Sequence, residues 1–273
     1  MSTIDMAVLA EVLRLPLFPY PLEVPTSGVT VDEHHRHVEA VLAGLVERGF
    51  VHGSTVAVDL SYALDLLASG ELVVDGRLVV GHQCDLVGTV REGHAALAVR
   101  TGDAVQIGLM PSRYLVQSIV KLLPDVPPLR GSSLTIPAES FTRALAVAAQ
   151  TVGSSETYEF FTEAGIRSQD AQTLASIVRT TGVAAQFGVS FRKPLVDLHQ
   201  KRKTWTWYAT EAGGIVLTHD SNERPTWTTL TPADPTRVGD YLDEALYALK
   251  YDAGHATSEV VVRSRRHASR LSR

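Results

Sequence analysis

The stretch "KRKTWTWYAT", Lys201–Thr210, places three cations directly before two tryptophans spaced two apart. It reads either as a base-stacking surface ringed by basic residues or as a strand whose alternate side chains enter a core. The alternation decides for the strand. Trp205 and Trp207 fall on one side, in phase with Phe187, Val189 and Phe191 of the preceding β-forming run, and Thr204, Thr206 and Tyr208 fall on the other. The charge balance agrees. Of the formal net charge of −5, the end "RSRRHASRLSR", Arg263–Arg273, contributes five arginines and no acid, which leaves −10 on residues 1–262. An acidic body repels a polyanion, so no nucleic-acid partner is expected. The basic end has almost no apolar stripe and reads as a disordered tail over residues 253–273.

Outward from the tryptophan strand, β periodicity predicts strands at Ala185–Arg192, Lys203–Ala209, Ile215–His219 and Thr226–Leu230. Helical patterns precede them at 137–150 and 168–180, opened by Pro137 and Ser168. A helix follows in which Asp234 is the cap, Pro235 the first position, and Val238, Leu242, Ala245 and Leu249 lie along the stripe. The first part of the chain repeats this order. A helix over Val31–Arg48 starts at the capping box Thr30-Val31-Asp32-Glu33 and stops at Gly49. A second helix runs from Asp59, read as its cap, to Gly70. Four short strands then lie between Glu71 and Leu109, with breaks at Asp75-Gly76 or Gly81, at Glu92-Gly93 and at Thr101-Gly102-Asp103, and "PSRYLVQSIVKLL" closes the half as a helix before Pro124. Helices, meander, helix occurs twice. The pattern implies an α+β fold with a pseudo-two-fold repeat, a central antiparallel sheet and two flanking helical bundles. The halves are residues 1–123 and 134–252, joined by the connector "PDVPPLRGSS" at 124–133.

With 273 residues, 45% of them hydrophobic, the chain can bury a large core without staples. Its one cysteine, Cys84, cannot pair internally. The opening "MSTIDMAVLAEVLRLPLFPY" has no basic leader, and Asp5, Glu11 and Arg14 interrupt its apolar residues. It is expected to be neither a signal peptide nor a membrane span, and the protein is expected in the cytoplasm.

The usual catalytic signatures are missing: no G-x-x-x-x-G-K-[ST], G-x-S-x-G, H-E-x-x-H or C-x-x-C. Two near misses define an alternative reading as a hydrolase or metal-dependent enzyme. In "DEHHRH" the i, i+3 spacing could bring His34 and His37 together, but no distant ligand pair is evident and the acids suit a first helical turn. Ser118 and Lys121 match S-x-x-K, on the polar side of a short helix with no K-T-G strand after it. The favoured class is a binding protein with no cofactor and no metal.

Four stretches occur in order: "FPYPLEVPTSGVTVDEH", "TTGVAAQFGVSFR", "WYATEAGG" and "TLTPADPTRVGDYLDEAL". Together they resemble the EspG family, the secretion-associated chaperones of actinobacterial type VII (ESX) systems, across about residues 4 to 250. The resemblance implies a non-enzymatic cytosolic chaperone that binds a PE/PPE-type heterodimer and keeps it soluble for export, as a monomer or homodimer. The family's W-x-D-T-x-x-G-R turn stands here as Trp207 to Gly214, with Ala209 in place of the acid and Gly214 in place of the arginine.

Strand alternation also suggests where a partner would sit. It assigns Phe187, Val189, Phe191, Trp205, Trp207, Ile215 and Leu217 to one face, covered by the helices at 137–150, 168–180 and 235–250. The other face then collects Gln186, Ser190, Thr204, Thr206, Tyr208, Thr218 and Thr228, with Gly188 and Val216. These neutral residues desolvate more cheaply than charges and form the candidate partner-binding set.

Overall fold

The computed structural model describes residues 1–22, 30–150, 154–163, 166–179, 183–192, 202–220 and 226–268. The first half begins with α1 (Thr3–Val12) and α2 (Val31–Glu47). The small hairpin β1 (Val51–His52) and β2 (Thr55–Val56) follows, then α3 (Val58–Ser69). A meander comes next, of β3 (Leu72–Val80), β4 (His82–Arg91), β5 (His94–Thr101) and β6 (Ala104–Pro111), and then α4 (Leu115–Val120). The second half repeats the plan with β7 (Leu134–Pro137), α5 (Ala138–Gln150), α6 (Ser154–Glu163) and α7 (Ser168–Arg179). Its meander is β8 (Val183–Phe191), β9 (Arg202–Thr210), β10 (Gly213–Asp220) and β11 (Trp227–Pro232), and it closes with α8 (Pro235–Ala268). The two meanders join into one nine-stranded sheet, β6-β5-β4-β3-β8-β9-β10-β11-β7. Antiparallel pairing of β3 with β8, from Leu72↔Phe191 to Val80↔Val183, is the seam.

Three cores hold helices to the sheet. On one face Phe187, Trp207 and Leu86 pack against Leu115 of α4 and Leu242 of α8. On the other face two bundles sit apart. Met6, Leu9, Leu45, Leu64 and Leu67 of the first three helices cover Val73 and Val87. Phe141, Phe161 and Leu174 of α5 to α7 cover Ile215, Leu217 and Leu230.

The meander breaks fall at Gly81, Glu92-Gly93 and Gly102, which have positive φ, whereas Asp75-Gly76 lies inside β3. Thr30 and Glu33 form the expected capping box, and Asp234 Oδ1 accepts from the Arg237 amide at 2.8 Å. Asp59 is not a cap; Ala57 holds that position and Asp59 lies in the first turn of α3. Pro137 ends β7 instead of opening α5. The basic end, read from its composition as a disordered tail over 253–273, instead continues α8 as helix to Ala268, and residues 269–273 lie outside the described residues. Among the described residues no helix is long and apolar enough to cross a membrane.

One assignment of faces is corrected. The register pairs Val216 with Trp207 and Thr218 with Trp205, while Ile215 faces Tyr208 and Leu217 faces Thr206. Strand β10 therefore runs one residue out of phase with the hydropathy reading. The helices α5 and α7 cover the threonine face, not the tryptophan face. The cause is the hairpin: Thr210 pairs with Gly213 across a two-residue loop, and this sets the register whatever the side chains prefer. Both faces of β10 are covered, so apolar residues occupy both and alternation carries no phase.

That hairpin also explains the glycines. Gly213 has φ +135, and a Cβ there would meet the Leu129 amide nitrogen at 2.6 Å. A Cβ on Gly214 would meet the Ala233 carbonyl at 2.3 Å, because Gly214 bonds the connector through Pro127 and Leu129 and the chain after β11 through Ala233.

The start of the chain is fastened by charge. Asp5 closes a capping box with Ser2 and receives two bonds from Arg48 of the second helix's end, at 2.9 and 2.8 Å. The Arg48 bonds outweigh burial and hold the Asp5 carboxyl down to about 2, from an ordinary 3.8. A depressed folded-state pKa contributes stability that is complete above the unfolded value and is lost as pH falls through the folded one. The contribution is about 2 kcal/mol. Urea titrations should thus show Asp5→Asn costing this amount at pH 6 and almost nothing near pH 2; a cost that is the same at both pH values would show that the ion pair is not its source.

Candidate functional site

Between the two bundles on the threonine face, the described residues leave uncovered the part of the sheet around Gln186, Thr204 and Thr206, while the neighbouring Asp75 and Ser190 are buried. One row of register partners crosses it: Arg100, Asp85, Arg77, Gln186 and Thr206, with Leu217 next. Both ends of the row run under helices, at Val105 and at Leu217. Gln186 and Thr204 are exposed, Thr206 is half-buried, and the Arg77 side chain is 42% exposed.

A carboxylate anchors the charged end of the row. Asp85 is buried to 3% and accepts from Arg77 Nε at 2.8 Å and from Arg100 Nη2 at 2.5 Å. Burial alone would raise its pKa, but the bonds from Arg77 and Arg100 prevail and hold the carboxyl below its ordinary range. Arg77 in turn lies 5.7 Å from the centroid of the Tyr20 ring, which is itself 53% exposed. The guanidinium is thereby fixed at the rim between a buried anion and an aromatic face.

The seven candidate partner-binding residues separate. Gln186, Thr204 and Thr206 lie together on the uncovered floor. Tyr208 is half-buried against the α5–α7 core, and burial pushes its phenol pKa up. Ser190 is buried to 2%. Thr228 is fully buried, with its hydroxyl 2.9 Å from His219 Nδ1. Thr218 lies on the tryptophan face, with its hydroxyl directed at the Thr229 carbonyl 3.5 Å away. Arg77, Asp85 and Tyr20 were missed by the sequence reading. The signal available was two charged residues on adjacent strands, Arg77 and Asp85, placed opposite each other once Gly81 is taken as the break.

The two enzyme near misses are placed elsewhere. His34 Nε2 lies 3.0 Å from Glu11 Oε1 at the α1–α2 contact. Among the described residues no three His, Cys, Asp or Glu side chains gather as a metal site requires. The Ser118 hydroxyl faces the Met110 thioether at 3.4 Å, and Lys121 caps the end of α4. A thioether cannot act as the general base that a serine nucleophile needs.

Fold and floor together define a class: a two-half α+β protein with one continuous sheet and a polar cleft between paired bundles, suited to binding. The EspG family model matches residues 2–244, and the chain belongs to the EspG family. Among solved structures it is similar to the type VII secretion system chaperone EspG5 of Mycobacterium tuberculosis, determined in complex with a PE25-PPE41 dimer. The match has a TM-score of 0.71 at 14% identity and covers 90% of this chain and 94% of that one, a likeness of fold. No curated protein matches the chain.

Removing the Asp85 charge leaves two guanidiniums facing a neutral group. Asp85→Asn should cost about 2 kcal/mol, less than the ~3–5 of a fully buried pair because Arg77 can hydrate. Chemical denaturation of the variant checks this; a loss below about 0.5 kcal/mol would mean that the triad does not hold the floor.

Proposed function

We propose that this chain is a cytosolic type VII secretion chaperone that binds a PE/PPE-type heterodimer and keeps it soluble for export. It acts by binding and not by catalysis. The observation that carries the reading is the family match over residues 2–244, collinear with the stretches that resemble the family in sequence. The similar EspG5 chain was solved with a PE25-PPE41 dimer, which supports the choice of client class. The placement of Ser118 against a thioether and of His34 against Glu11 supports the non-enzymatic reading.

For the client's seat we propose the uncovered floor, with Gln186, Thr204 and Thr206 as contacts and Arg77 at its charged rim. Neutral hydroxyl and amide groups satisfy a partner's polar atoms at small desolvation cost, and a fixed guanidinium orients it. The test is co-expression with candidate PE/PPE-type pairs followed by size-exclusion chromatography. Co-elution in a stoichiometric complex is expected; candidates that stay soluble alone and never co-elute would sink the chaperone reading. Within a complex, Thr206→Arg sets an unpaired cation beside Gln186 and near Arg77. It should weaken binding by about 2 kcal/mol, roughly 30-fold, with an unchanged melting temperature. Unaltered affinity would move the client off this floor.

A further inference from the structure

The far edge of the sheet carries a second feature, beyond the floor and past strand β10. Strand β7 is the last in the sheet order. The Ala138 amide donates to the Thr226 carbonyl at 3.0 Å, and the register continues through Ile136↔Thr228 and Leu134↔Leu230. Bonding between antiparallel strands alternates, so Leu134 and Ile136 direct their backbone groups to β11, and Thr135 directs its N–H and C=O outward. Beside this edge lies a cavity of about 370 Å³, floored by Leu134, Leu174, Ile215 and Leu230. This is within the size range of about 300 to 1,000 Å³ usual for ligand sites.

Its rim is the loop just before β7. Gly131 has φ +135, and the backbone amides of Gly131, Ser132 and Ser133 make no hydrogen bond among the described residues. Arg130 and Arg167 line the same rim. The Arg167 Nε lies 3.0 Å from Asp170 Oδ2, so these two charges offset each other. Arg130 is exposed and has no ion-pair partner among the described residues, which leaves the rim one positive charge in excess.

We propose that this corner captures the C-terminal end of an extended partner segment. The segment adds antiparallel to β7, which brings its last residue to the loop where β7 starts. Its terminal apolar side chain enters the leucine-floored cavity. Its α-carboxylate meets Arg130 and the loop amides. The chemistry combines strand addition to an open edge, which supplies main-chain bonds, with carboxylate capture by free backbone N–H groups and a guanidinium.

The test uses the full chain and a fluorescein-labelled six-residue peptide of alternating threonine and valine ending in leucine, as free acid and as C-terminal amide. In fluorescence anisotropy the acid should bind and the amide should be at least tenfold weaker. Arg130→Ala should bring the acid down to the level of the amide without changing the melting temperature. Thr135→Pro, which removes only an outward N–H, should weaken both peptides. Equal affinity of acid and amide, no binding of either, or indifference to Arg130→Ala overturns the proposal. So does a concentration-dependent dimer, seen in sedimentation, that Thr135→Pro dissolves while the peptide fails to bind; the edge would then join two copies of this chain. Thr206→Arg should leave peptide binding intact, so failure here and failure of the client site on the central floor are told apart.

Discussion

The antiparallel seam between β3 and β8 is the constraint on which everything else rests. Each half alone is a four-stranded meander with helices above and below it. The register from Leu72↔Phe191 to Val80↔Val183 turns two such units into one sheet. It brings Val74, Leu78, Phe187 and Val189 into a single core under α4 and α8. That core then spans both halves. Its largest member, Trp207, is fully buried and its Nε1 donates to the Ala233 carbonyl at 2.8 Å, so the indole bolts the sheet to the chain segment that leads into α8. Truncating such a side chain typically costs about 3–5 kcal/mol. The same seam sets the distance between the two bundles on the opposite face, and hence the uncovered floor.

Much of this was legible in the sequence because local chemistry and tertiary demand coincide. Trp205 and Trp207 could be assigned to a core because β9 meets its neighbours with aromatic residues in phase and a polar set between them. The caps of α2 and α8 were legible for the same reason: Thr30, Glu33 and Asp234 act within three residues of themselves. What was not legible depended on partners far away in the chain. The segment Leu134–Pro137, between the connector at 124–133 and the helix expected from Pro137, is a strand only because β11 offers it an edge. The helix α1 shows no narrow stripe, since Ile4, Met6, Val8 and Val12 are scattered around it, and it is fixed by Asp5 reaching Arg48. The phase of β10 was lost because both its faces are buried. With it went the placement of Thr218, Ile215 and Leu217. Thr228 looked like a surface threonine and is in fact a buried partner of His219.

The turn from Trp207 to Gly214 shows how a departure from a family pattern can be physically consistent. An acid at position 209 would lie on the tryptophan face, where Ala209 is buried. A side chain at position 214 would collide with the Ala233 carbonyl unless the loop after β11 moved. Thr210 keeps the turn closed: its hydroxyl donates to the Gly213 carbonyl at 2.8 Å and accepts from the Ala212 amide at 3.2 Å. The small residues thus allow the connector, the hairpin and the approach to α8 to meet in one place.

The two halves share a plan but not a surface, and the difference bears on how a partner is oriented. In the row that crosses the floor, the first half contributes Arg100, Asp85 and Arg77, while the second contributes Gln186, Thr206 and then Leu217. The row is charged, then neutral, then apolar. A symmetric pair of halves with symmetric floors would accept a partner in either of two orientations related by the pseudo-two-fold. For a partner seated on the floor as proposed, the gradient would remove that degeneracy, because a segment with an acidic end and an apolar end fits only one way. Asp85 makes the gradient durable. By accepting from both guanidiniums while Arg77 is fixed against Tyr20, it leaves a positioned charge at the rim contributed by the first half.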